Sequence, residues 1–165
     1  MRIKLFTVIL LLCLGLSNSQ PTAVAKQHSV SSNNRVVFSA QQLQIDHTLR
    51  ILRSTVHKTP YVYSGDTRRG WDCSGLVSWF YSRLGREIPH SATKQAHIGQ
   101  RVSSPIPGDI VVFAYTGRTD FYHSAIYLGD GKIINANYYY GTTVIEPLKD
   151  YQHSQIRYIR LNTKG

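Results

Sequence analysis

Gly70-Trp71-Asp72-Cys73-Ser74-Gly75-Leu76-Val77 decides how this chain is read. Asp72 is a good helix N-cap, and Leu76, Val77, Phe80, Tyr81 and Leu84 recur on one helical face behind it. The stretch therefore predicts a helix that begins at Cys73 and stops before Gly85. A thiol at a helix N-terminus meets free N–H groups and the positive end of the helix dipole, which favour thiolate. Asp72 is negative and works against that, so a basic partner is needed, for which histidine is the usual choice.

The chain has only one other cysteine, Cys13, and its setting is different. Arg2 and Lys4 precede an apolar run from Leu5 to Leu16, and Ser17-Asn18-Ser19 supplies small residues after it. This is the order of a secretory signal, so residues 1–19 are expected to be removed and Cys73 to remain as a lone thiol. The run is short for a membrane span, which takes roughly 20 apolar residues. Bulky Leu12 argues against lipidation at Cys13. The mature chain is expected to be exported, periplasmic or secreted, with no membrane span and no partner subunit.

Formal charge is +10 and falls by two to +8 without Arg2 and Lys4. A basic surface attracts anionic polymers, or simply aids solubility. Arg68-Arg69 is the only adjacent basic pair and no nucleic-acid motif is present, so nucleic acid is not an expected partner.

Residues 20–38 are polar without clear periodicity and read as a flexible leader. Ser39 with Gln42 fits a capping box, and Ile45, Leu49, Leu52 and Val56 follow at helical spacing, predicting a helix over 40–56. Ser91 can cap a short helix ending near Gly99. Beyond Pro107-Gly108, residues 110–114, 123–128, 132–136, 142–145 and 156–161 read as strands, with a tight turn at Gly129-Asp130-Gly131. Helices followed by strands indicate one α+β domain over residues 39–165.

Of seven histidines, His28, His47, His57, His90, His97 and His153 fall in helix ends or polar segments. His123 opens the apolar strand His123-Ser124-Ala125-Ile126-Tyr127-Leu128 directly after a loop, where a scaffold can present a base. Asn135 lies on the next strand, six residues beyond Gly129 as His123 is six before it, so antiparallel pairing sets the two opposite each other. Cys73, His123 and Asn135 are the residue types of a Cys-His-Asn triad. Each alone is as readily structural; the three together point to catalysis. The histidines show no zinc-ligand spacing, and neither a metal nor a cofactor is expected.

Residues about 43 to 160 resemble the NlpC/P60 family of papain-like cell-wall peptidases. The matching blocks are Thr59-Pro60-Tyr61-Val62-Tyr63-Ser64-Gly65, the Gly70–Val77 stretch, and Ile88-Pro89-His90-Ser91-Ala92 with Gln95. Pro107-Gly108-Asp109-Ile110-Val111-Val112-Phe113 and His123 to Gly131 complete them. The Thr67-Arg68-Arg69-Gly70 lead-in is most similar to small periplasmic murein endopeptidases. The resemblance implies N-terminal helices packed on a central antiparallel sheet, with Cys73 as nucleophile, His123 as base and Asn135 in the third position, where a second histidine is common. It implies that the Tyr61 hydroxyl stabilises the oxyanion, and that Asp72 and Ser74 line the substrate groove. Packing for Tyr61 and helix capping for Asp72 are the simpler roles. Ser64 replaces a usual glycine. Tyr138-Tyr139-Tyr140 either lines the groove or packs on the sheet edge.

The implied substrate is the peptide stem of peptidoglycan, cut at a D-glutamyl–diaminopimelate or D-alanyl–diaminopimelate bond. An acyltransferase or amidase would use the same Cys73 and His123, and a non-catalytic wall-binding protein would keep only the fold.

Overall fold

The computed structural model describes residues 32–161, with side chains from residue 40 onward. The signal read in residues 1–19, and the leader as far as residue 31, lie outside the described residues. The first helix, α1, is Ser32–Arg53. It starts earlier than the capping box suggests: Ser39 is inside the helix, and the last part of the expected leader is helical too. Leu49 and Leu52 are its buried contribution to the core. Among the described residues, no helix is long and apolar enough to cross a membrane.

A small ribbon pairs β1, Asp66–Thr67, with β2, Gly70–Trp71. The helix α2, Cys73–Ser82, follows, then α3, Ala92–Gln95, capped by Ser91. The remaining strands are β3 (Gln100–Val102), β4 (Ile110–Tyr115), β5 (His123–Gly129), β6 (Lys132–Asn137), β7 (Thr142–Pro147) and β8 (Ser154–Arg160). They form one antiparallel sheet in the order β3-β8-β4-β5-β6-β7. The α+β class expected from the sequence is thus observed.

The apolar run of β4 is continuous because both faces of the sheet are covered. Ile110, Val112 and Ala114 join Ile126, Ile134 and Ile159 under α1 and α2, where Leu52, Leu76, Val77 and Phe80 are fully buried. Val111 and Phe113 face the other way, into a smaller cluster with Ala125 and Ile133 that Tyr151 and Tyr158 cover. This alternation follows from the two-residue period of a strand.

The Pro107-Gly108-Asp109 turn is structural. Gly108 sits at φ +98°, in the left-handed region, and its carbonyl accepts a 2.8 Å hydrogen bond from the Tyr81 hydroxyl. Buried Asp109 accepts two hydrogen bonds from Arg160, at 2.7 and 3.0 Å, and one from the Ile106 N–H. This ties the entry of β4 to the end of β8.

Candidate active site

Cys73 is the first residue of α2, as the sequence predicts, and Asp72 is the N-cap. Asp72 Oδ1 accepts from the Gly75 N–H at 2.7 Å, the Ser74 hydroxyl at 3.0 Å and His90 Nε2–H at 2.8 Å. Its other oxygen accepts from the Ser64 N–H at 3.0 Å. One carboxylate therefore joins the helix start to two loops. Ser74 is buried and its hydroxyl is spent on Asp72, so it supports the cap.

Gly75 is required for the same packing. A Cβ there would fall on the Gly65 carbonyl oxygen and come within 3.0 Å of His90 Nε2. Ser64 has φ +58°, the left-handed region that favours glycine, the residue that the resemblance leads one to expect there.

The helix α2 lies against β5 and β6. The backbone N–H groups of Ser124 and Ser74 and the Ser124 hydroxyl lie near enough to Cys73 to favour its charged form. Ser124 is fully buried, and its hydroxyl makes no hydrogen bond within ordinary limits. Burial raises the Cys73 thiol above its ordinary value and the Asp72 charge raises it further, while the hydrogen bonds from Ser124 and Ser74 oppose both. On balance the surroundings favour the neutral thiol.

His123 precedes Ser124 and is half-buried at the start of β5. Its ring stacks parallel to Tyr151, 6.0 Å between centroids, and packs against Phe113 at 5.5 Å. Burial among these rings lowers its pKa to about 4, against smaller raising effects of Asn135, Glu146 and Asp72. His123 Nε2 is 3.1 Å from Asn135 Oδ1. An amide oxygen only accepts, so Nε2 carries the proton and Nδ1 is left with its lone pair.

Asn135 is fully buried. The sequence sets it directly opposite His123, and here the register differs. Ile126 pairs with Ile134, with an irregularity between Tyr127 and Gly129. Continued toward the site, this sets Ala125 across from Asn135 and makes His123 its diagonal neighbour. Side chains of this length still meet across a diagonal.

The segment carrying Tyr61 is pinned to the outer edge of β7. Pro60 bridges Thr142, the Tyr61 N–H donates to the Gly141 carbonyl at 2.9 Å, and Trp71 Nε1 donates to Thr143 Oγ1 at 2.8 Å. Tyr61 is close enough to Cys73 and Asp72 for their charges to raise its hydroxyl pKa, after burial, so it stays a donor. Its ring meets Tyr138 edge-on at 5.5 Å. Tyr138 and Tyr139 are more than four-fifths exposed and Tyr140 more than half. The run does not pack on the sheet edge; it extends an aromatic surface outward from Tyr61.

The roles of four contributors escaped the sequence reading, although His90 and Gln95 stand in one of its matching blocks. His90 is in an irregular loop with no periodicity to mark it. Gln95 holds that loop on α2, donating to the Ser74 and Pro89 carbonyls at 3.0 and 2.9 Å. Ser124 lies hidden beside the histidine. Glu146 accepts from Asn135 Nδ2 at 2.7 Å, and only a parity count along β7 would have placed it there. Among the described residues, no group of three His, Cys, Asp or Glu side chains is arranged to hold a metal.

Residues 58–160 match the NlpC/P60 family. The chain is 39% identical over 105 residues to the gamma-DL-glutamyl hydrolase of Bacillus subtilis, covering 61% of this chain and 25% of that protein. It is 33% identical over 142 residues to a probable endopeptidase of Corynebacterium glutamicum, covering 84% and 59%. The chain therefore spans between a quarter and three fifths of the length of these relatives. Its fold matches the peptidoglycan hydrolase RipB of Mycobacterium tuberculosis with a TM-score of 0.64 at 22% identity, covering 74% of this chain and 67% of that one. The match over most of the described sequence, on the fold laid out above, shows that this chain belongs to the NlpC/P60 family.

Proposed function

We propose that the protein is an exported peptidoglycan hydrolase, a cysteine endopeptidase that cuts peptide stems or crosslinks through Cys73, His123 and Asn135. The observation that carries this reading is the seat of Cys73. It is the first residue of a helix pressed onto β5, against Ser124, which follows a histidine whose Nε2 is engaged by an amide and whose Nδ1 keeps its lone pair. The names of its relatives support a hydrolase, and a gamma-DL-glutamyl hydrolase among them supports cleavage at a gamma-glutamyl bond. Residues 1–19 serve as the export signal, and the domain that starts with α1 works as a monomer.

In this mechanism His123 Nδ1 takes the Cys73 thiol proton as the sulfur attacks the peptide carbonyl. The Tyr61 hydroxyl and the Cys73 N–H receive the developing oxyanion, a contribution typically of about 3 kcal/mol. The C–N bond breaks as the imidazolium returns its proton to the leaving amine. Water, deprotonated by His123, then hydrolyses the thioester and restores the thiol. Proton transfer between two groups that are both neutral at rest has to occur within the closed complex, where substrate has displaced water. The exposed tyrosines beside Tyr61 give the stem and its glycan a surface to lie on.

Purified sacculi digested with the mature protein and with a Cys73→Ala variant, compared by muropeptide mass spectrometry, test the proposal. Fragments made only by the intact protein are expected, and their masses name the bond. Unchanged muropeptides from a folded protein would reject hydrolysis and favour acyl transfer or simple wall binding.

A further inference from the structure

We propose that Glu146 is a positioning residue: its carboxylate orients the Asn135 amide so that the oxygen faces His123, which locks the imidazole in its Nε2–H form. The proposal rests on the hydrolase reading for its purpose, though not for its geometry.

Glu146 Oε2 accepts three hydrogen bonds, from Asn135 Nδ2 at 2.7 Å, Asn137 Nδ2 at 3.0 Å and the Tyr151 hydroxyl at 3.0 Å. On the sheet, Glu146 pairs with Ile133 and Val144 pairs with Asn135, so Glu146 is the diagonal neighbour of Asn135. A carboxylate can only accept, so it draws the NH2 end of the amide and turns the oxygen toward His123. Asn135 is fully buried, so water cannot serve the amide in the opposite orientation. With the amide reversed, the NH2 group would face Nε2 and demand a lone pair there. The proton would move to Nδ1, where it blocks acceptance of the thiol proton.

Tyr151 closes the arrangement from a second side. It donates to Glu146 and stacks on the His123 ring within 5° of parallel. Residues 148–151 form a 3-10 turn directly after β7, so one short segment delivers both Glu146 and Tyr151. The other ionisable groups around His123 are Asp72 from the start of α2 and Tyr122, which precedes it.

Glu146→Gln tests this at nearly constant shape. Its side-chain amide both donates and accepts, so the direction of the Asn135 amide is no longer dictated. Two-bond 1H–15N spectra of histidine-labelled protein read the tautomer directly, with His123 assigned by the signal that His123→Gln removes. The intact protein is expected to show Nε2–H alone. Glu146→Gln is expected to gain Nδ1–H and to lose at least about tenfold in kcat with little change in KM, because a wrong tautomer disables the base. In the swapped pair Asn135→Asp/Glu146→Gln, the aspartate accepts from His123 in either orientation, so Nε2–H and most of kcat should return. A role in packing alone would leave the tautomer unmoved and would not be repaired by the swap. An unchanged tautomer in Glu146→Gln, or no repair in the swapped pair, overturns the proposal. If Glu146→Gln does not fold, the swapped pair decides: a folded protein with Nε2–H supports the proposal. Failure of the intact protein to cut sacculi, with the tautomer still under Glu146 control, would count against the hydrolase reading and leave the positioning role standing.

Discussion

His90 Nε2 stands 2.8 Å from Asp72 Oδ1, the oxygen that also caps the helix carrying Cys73. The carboxylate thus does two things of opposite sign. It organises the helix start and both flanking loops, and its charge raises the thiol. Asp72→Asn separates them. Asparagine caps as well as aspartate, but it carries no charge and cannot accept from the Ser64 N–H with its NH2 end. The thiol pKa is expected to fall and iodoacetamide labelling at pH 7 to accelerate, with stability lower by about 1 kcal/mol for the lost hydrogen bond. Asp72→Ala should lose the cap as well, costing about 1 kcal/mol more. Labelling that slows in Asp72→Asn would show that the charge does not control the thiol.

Ser124 offers the complementary test. Its hydroxyl is buried, makes no hydrogen bond within ordinary limits, and favours the charged form of Cys73. Ser124→Ala removes that support and leaves no other group unsatisfied, so stability should change by less than about 1 kcal/mol. The thiol pKa should rise and labelling at pH 7 should slow. Chemical denaturation together with labelling rates measures both. A large loss of stability would mean the hydroxyl holds the core and not the sulfur.

The contrast between these two residues shows what the sequence could and could not display. Asp72 and Cys73 were legible because helix capping is local. The central strands were legible because both faces are buried, which leaves apolar runs such as Ile110–Ala114. Asp66–Thr67 and Gln100–Val102 were not, being too short and polar to carry a period. Asn135 was found by counting from Gly129, yet Gly129 itself pairs with Lys132, so the turn centres beyond it and Asn135 falls on a diagonal from His123. His90 and Glu146 reach the site only through tertiary contacts, and nothing in their immediate neighbours announces that.

The depressed His123 pKa fixes the acid side of the pH response. Burial among Phe113, Tyr122 and Tyr151 disfavours the charged ring, so the folded value is about 4 against an ordinary 6.5. The base is free above about 4, and kcat/KM on a muropeptide should rise through that point and level off before 6.5. Between 6.5 and 4 the unfolded chain binds a proton at this site that the folded chain refuses. Stability from this group is therefore complete above 6.5 and is lost as pH falls toward 4. Urea midpoints at neutral pH and midway through that window should differ in the intact protein and differ less in His123→Gln. A kinetic inflection near 6.5 would place the histidine in water and contradict its aromatic enclosure.

Ser64 concerns the scaffold and not the chemistry. At φ +58° a serine bears a cost of roughly 1–2 kcal/mol that glycine does not. Ser64→Gly relieves it, while the freer unfolded chain takes back about 0.4–1 kcal/mol. The bond to Asp72 comes from the backbone N–H and survives the change. A net gain of up to about 1.5 kcal/mol in unfolding free energy is expected, with kcat and thiol labelling unchanged. A loss of stability would show that the serine side chain holds the loop. A change in labelling would show that the loop, acting through Asp72, also sets the state of the thiol.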